Sequence, residues 1–126
     1  MLGEMSLYKI HFYADKKGNE PVREYIEKLK EKAATDKKAR VKLKKIVEFF
    51  GILERNGTRA GSHFVKHIEN GIWELRPIDN RIFFFYWRDN TFILLHHFQK
   101  KSKKTPKREI EQAKRNKRDF IERSEA

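Results

Sequence analysis

A chain of 126 residues, 38% of them hydrophobic, carries enough apolar side chains for one core and little more, so residues 1–126 are expected to form one domain. Thirty Lys and Arg against 18 Asp and Glu leave a formal charge of +12, which favours a polyanionic partner such as RNA, DNA or an anionic membrane surface. The lack of cysteine excludes disulfides, thiolate zinc sites and cysteine nucleophiles; with no apolar run near the ~20 residues of a spanning helix and no cationic leader in MLGEMSLYKIHFY, the chain is expected in the cytoplasm.

Leu7 to Tyr13 alternates apolar and polar residues and runs into the turn-forming cluster Asp15-Lys-Lys-Gly18-Asn19, which predicts a first strand. Pro21 then opens a helix in which Val22, Tyr25, Ile26 and Leu29 recur at three-and-four spacing, ending near Lys32. Thr35 or Asp36 caps a second helix whose apolar face is Leu43, Ile46, Val47, Phe50 and Leu53 and which stops at Asn56-Gly57. Gly51 inside it costs about 1 kcal/mol relative to Ala, so a bend or frayed end is expected there.

From Phe64 the period becomes strand-like. Asn70-Gly71, between VKHIE and IWELRP, is a strong hairpin signal, and Asp79-Asn80 and Arg88-Asp89-Asn90 are turns that bracket Arg81 to Trp87 and lead into Thr91 to Gln99. Thr105 serves as N-cap and Pro106 as first residue of a basic last helix with Ile110, Ala113, Phe120 and Ile121 on its apolar face and loosely held final turns. The predicted class is α+β: a small, mostly antiparallel sheet with two N-terminal helices and one C-terminal helix. All helices are expected on one face, leaving the other for function.

Metal-free cleavage of RNA requires a base for the 2′-hydroxyl, cations around the phosphate and an acid for the leaving oxygen. Arg76 ends one strand and Arg81 begins the next, so the turn over residues 77–80 holds two guanidiniums near one hairpin end, where both can grip a phosphate. The competing reading pairs each with Glu74 or Asp79 at the surface. On the last strand, alternation sends Leu94, His96, Phe98 and Lys100 to one side and Leu95, His97, Gln99 and Lys101 to the other. One histidine then faces inward as a structural residue, and the other is free to carry protons near neutral pH. Lys100, Lys101, Lys103 and Lys104 form a cationic run held between strand and helix. His63, His67 and Glu69 lack a third clear ligand on one face, so no metal is expected. Phe83, Phe84, Phe85, Tyr86 and Trp87 supply mainly core, with outward members able to stack on bases.

The segments GIWELR, RIFFFYW and LLHHFQKKSKKTPKREIEQA resemble the RelE-like toxins, most closely the HigB or phage Gp49-like branch, over roughly Tyr8 to Lys117. The resemblance implies the fold above and the toxin of a type II toxin-antitoxin pair: a cofactor-free endoribonuclease that cuts mRNA on the ribosome. It also implies a HigA-like helix-turn-helix antitoxin as partner, contact with operator DNA only through that antitoxin, and no membrane role. By position it assigns phosphate-gripping arginines to Arg76 and Arg81, the basic group to Lys100 and Lys101, the branch's histidine to His96, and an RNA-contacting cation to Lys66, with His97 in place of a small residue. Glu74 stands where better-known relatives place lysine, and no tyrosine follows the lysine run, which leaves the base open among Lys100, Lys101, His96 and His97. Two other classes remain in view: a non-catalytic inhibitor like the ParE-type gyrase poisons, and a basic RNA-binding module in which the same arginines and lysines, Lys66, Lys103 and Lys104 among them, only grip backbone.

Overall fold

A computed structural model describes residues 6–125. The chain runs through β1 (Lys9–Phe12), α1 (Pro21–Ala33), α2 (Lys37–Asn56), a short 3-10 turn (Gly57–Ala60), β2 (Val65–Glu69), β3 (Ile72–Leu75), β4 (Asn80–Arg88), β5 (Thr91–Gln99) and α3 (Lys107–Ser124). The five strands form one sheet in the order β1-β5-β4-β3-β2. Only the β1–β5 pair is parallel, with Lys9 opposite Thr91 and Phe12 opposite Leu94. The first strand is shorter than alternation suggests, because the amides of Leu7 and Tyr8 turn instead to the Glu54 carbonyl near the end of α2.

Local chemistry sets the element ends. The Asp36 side chain accepts from the Lys38 amide and caps α2, while Gly57, at φ 61°, ends it with its Cα facing the Tyr8 ring too closely for a Cβ. The helix runs through Gly51 without interruption. Asn70 and Gly71, at φ 52° and 73°, form the tight turn joining β2 to β3, and Asp89 and Asn90, at 52° and 57°, do the same for β4 and β5. At α3 the expected cap is displaced by one residue. Pro106 has an extended ψ of 135° and its carbonyl accepts from Glu109 and Ile110, so the helix begins at Lys107 and Thr105 makes no capping hydrogen bond. The final turns are tied down: Tyr13 donates to Asp119 at 2.6 Å, and Arg123 pairs with the same carboxylate.

The sheet is covered on both faces, which corrects the expectation of a single helical layer. Val22, Ile26 and Leu29 of α1 and Ile46, Phe49 and Leu53 of α2 pack on Leu75, Ile82, Phe84, Phe92 and Leu94. Ala113 of α3, with Ile110, Phe120 and Ile121 beside it, packs on Ile72, Phe83, Phe85, Ile93, Leu95 and Phe98. A two-sided core explains the FFF run of β4, since alternate phenylalanines bury toward opposite layers. Among the described residues α3 lies over β5 and β4, so what is left for function is the part of that face beyond them, where Lys66 of β2 is exposed, and the ends of the sheet.

Candidate functional site: two arginines at one end of the sheet

β3 and β4 are joined by a turn in which Asn80 donates to the Pro77 carbonyl at 3.0 Å and Ile78 adopts φ 58°, left-handed despite its branched side chain. That conformation points the Ile78 carbonyl at Arg81, whose Nη1 donates to it at 2.8 Å and to the Asn80 carbonyl at 2.8 Å. Arg76 Nη1 donates to the Ser62 carbonyl at 2.9 Å. Between the two guanidiniums lies Glu74, fully buried, with its carboxylate 3.8 Å from Arg76 Nε and 3.9 Å from Arg81 Nε. Among the described residues neither Nε nor either carboxylate oxygen has a hydrogen-bond partner, so the contact is charge against charge in a buried setting. Burial lowers the Arg81 pKa from its ordinary value, the Glu74 charge opposes that, and Arg76 adds to the lowering.

The two readings of these arginines are therefore not exclusive. Both meet Glu74, yet the carboxylate is interior, and both guanidiniums line the same cleft of about 410 Å³ with Lys45 and Phe49 of α2, His63 and Ile78. Among the described residues neither arginine Nη2 has a protein partner, which leaves that nitrogen of each guanidinium for a ligand.

Behind the turn is a second polar cluster. Buried Asn80 accepts from the Tyr25 hydroxyl at 2.8 Å and from His97 Nε2 at 2.9 Å, and the His97 and Tyr25 rings stack with centroids 3.5 Å apart. Burial pushes the His97 pKa down to about 4, with the neighbouring His96 adding to the effect and Asp79 opposing it. His97 is thus neutral at pH 7 and spends its Nε2–H on Asn80. Asp79 accepts from Gln99 at 2.6 Å and stands 3.9 Å from Lys42, which fixes the turn to β5 and α2.

The plain alternation read for β5 fails at one place. Phe84 pairs with Leu94 and Phe83 with His96, so Leu95 is an extra residue, a bulge, and Leu95 and His96 both face the α3 layer. Leu94 and Phe98, expected on one side, lie in opposite layers. His96 donates from Nε2 to Glu109 of α3 at 2.7 Å and lines a separate cleft with Tyr13, Glu24, Gln112 and Asn116. The two histidines therefore belong to different faces, and neither lines the arginine cleft.

Of the other expected residues, Lys100 is anchored by its amide to the Asp79 carbonyl at 2.7 Å, at the rear of the same turn. Lys101, Lys103 and Lys104 are exposed, and the Ser102 hydroxyl donates to the Lys104 carbonyl at 3.0 Å. Lys66 is exposed on β2 opposite Glu74. His67 packs edge-on against Trp73 rather than with His63, and no group of three metal-binding side chains occurs among the described residues. No described helix is long and apolar enough to cross a membrane. Sequence reasoning missed Lys45 and undervalued His63. For Lys45 a signal existed: it lies four residues before Phe49 and so on the same edge of α2.

No curated protein matches the chain. The family model described as Phage derived protein Gp49-like matches residues 24–118, from the first turn of α1 into α3, and so takes in the arginine turn, the lysine run and both flanking layers. With that span matched, the chain belongs to the phage-derived Gp49-like family, within the RelE/HigB-like group of toxins.

Proposed function

We propose that the protein is the toxin of a type II toxin-antitoxin pair and acts as a metal-independent endoribonuclease on mRNA at the ribosome. One observation carries the catalytic part of this reading: two guanidiniums share one cleft and are aimed by a single buried carboxylate. In this assignment Arg76 and Arg81 hold the non-bridging oxygens of a phosphodiester and stabilise the charge that builds as the 2′-hydroxyl attacks phosphorus. Lys100 and Lys101, beside the same turn, and Lys66, Lys103 and Lys104 farther out, grip the neighbouring backbone. His96 ties β5 to α3, and His97 supports the turn from behind. The partner is an antitoxin with a helix-turn-helix, acidic where it covers the cleft.

The test compares wild-type protein with Arg81→Ala, mapping mRNA ends during growth arrest. Removing one preorganised donor should cut the cleavage rate about a hundredfold or more. Full toxicity and cutting by the variant would remove the assignment, and DNA breaks with intact mRNA would transfer the protein to the gyrase-poison class.

A further inference from the structure

The arginine cleft has cations for a phosphate, but neither β5 histidine reaches it. The side chain that does is His63. It lies on the connection between the 3-10 turn and β2, where Gly61, at φ 98°, reverses the chain and its carbonyl accepts from the Phe64 and Val65 amides at 3.0 Å each. Arg76 then holds this connection on both sides of His63. Its guanidinium donates to the Ser62 carbonyl at 2.9 Å, and its backbone amide donates to the Phe64 carbonyl at 3.0 Å. The imidazole leans edge-on against Phe64, with centroids 4.8 Å apart, and tilts over Phe49 at 6.3 Å. It is exposed, it has no carboxylate partner among the described residues, and it shares the cleft with Lys45 of α2, Arg76 at the end of β3 and Arg81 of β4.

We propose that His63 is the catalytic base of this cleft. This rests on the ribonuclease reading above. In this assignment a phosphodiester held by Arg76 and Arg81 turns its sugar toward the exposed His63 that lines the same cleft. There the imidazole takes the proton of the 2′-hydroxyl, O2′ bonds to phosphorus, and the bond from phosphorus to O5′ breaks. The departing oxygen takes a proton from water, giving a 2′,3′-cyclic phosphate and a 5′-hydroxyl, and His63 returns its proton to solvent. Lys45 supplies a further positive charge against the phosphorane. The charged groups that share the cleft with the imidazole are Lys45, Arg76 and Arg81.

The ring is exposed and lies over Phe49 from outside the buried core, so substitution should leave the fold intact. The experiment measures single-turnover cleavage of one mRNA by the full-length protein, with and without ribosomes, from pH 5 to 9, for wild type, His63→Asn, His63→Ala, His67→Asn and Arg81→Ala. The expected result is a rate loss of a hundredfold or more in both His63 variants, KM within about twofold of wild type, and loss of the acid limb of the pH profile. His67→Asn, outside the cleft, should retain wild-type rate. Active His63→Asn with an unchanged pH profile, alongside inactive Arg81→Ala, would overturn the assignment of His63 while leaving the nuclease reading standing. A wild-type protein that cuts under neither condition would overturn both.

Discussion

Oε1 of Glu74 stands 3.9 Å from Nε of Arg81, and both atoms are sealed from solvent. Among the described residues the carboxylate has no hydrogen bond to offset its burial, so what faces it is the pair of guanidiniums, Arg81 and Arg76.

Deleting that carboxylate should therefore hurt both fold and cleft. Breaking a buried charge pair by removing one partner costs about 3–5 kcal/mol, because the other charge is left without compensation. Glu74→Ala should lose stability of that order in urea titrations, and its arginines should no longer hold an RNA phosphate. An unchanged unfolding midpoint would refute the charge-clamp account.

Ile78 stores strain at the cleft. A branched side chain at φ 58° is disfavoured, and asparagine tolerates this region far better. Since Ile78 is 49% exposed, little packing is lost on replacement. Ile78→Asn should raise stability by about 1 kcal/mol, read as a higher denaturation midpoint. A lower midpoint would mean that the side chain stabilises the turn in some other way.

His97 makes stability depend on pH. Its folded pKa of about 4 lies below the ordinary 6.5, so between those values the unfolded chain binds more protons than the native one. Stability from this residue is complete above pH 6.5 and is lost as pH falls toward 4, by about 3 kcal/mol in all. His97→Gln should flatten the urea-derived stability curve across that window. An equally steep fall in the variant would place the acid sensitivity elsewhere.

The cleft and its surroundings should steer an acidic partner. Arg76, Arg81, Lys45 and the exposed lysines after β5 act together at long range, so association with the antitoxin should slow at least tenfold between 50 and 300 mM salt while dissociation changes less. Stopped-flow mixing reads this directly, and a salt-independent on-rate would count against charge complementarity.

Much of this architecture is legible in the sequence because its signals are local. The Asp36 cap, the Asn56-Gly57 stop and the Asn70-Gly71 turn each act through their own backbone and occur where the residues indicate. The pairing of Arg76 with Arg81 is equally readable, since four turn residues separate them. What period-two reasoning loses is the Leu95 bulge, because an unpaired residue leaves no mark in composition, and everything after it changes face. The position of α3 is likewise hidden: FFF in β4 fits a sheet buried on both sides as well as an aromatic surface. His63 is noticed in the sequence only as a possible metal ligand, for a different reason. Its place in the cleft depends on two hydrogen bonds from Arg76, 13 residues later in the chain.

The parallel pairing of β1 with β5 bears on when the protein can become active during its own synthesis. The first strand made waits for the last, which enters between β1 and β4, and the apolar side chains Phe83, Phe85, Leu95 and Phe98 stay uncovered until the segment after β5 has been made. Such long-range closure is slow, and no early portion of the chain contains a finished sheet. A chain broken off before Lys107 lacks the helix that covers these side chains, and so is a sticky fragment rather than a smaller version of the fold.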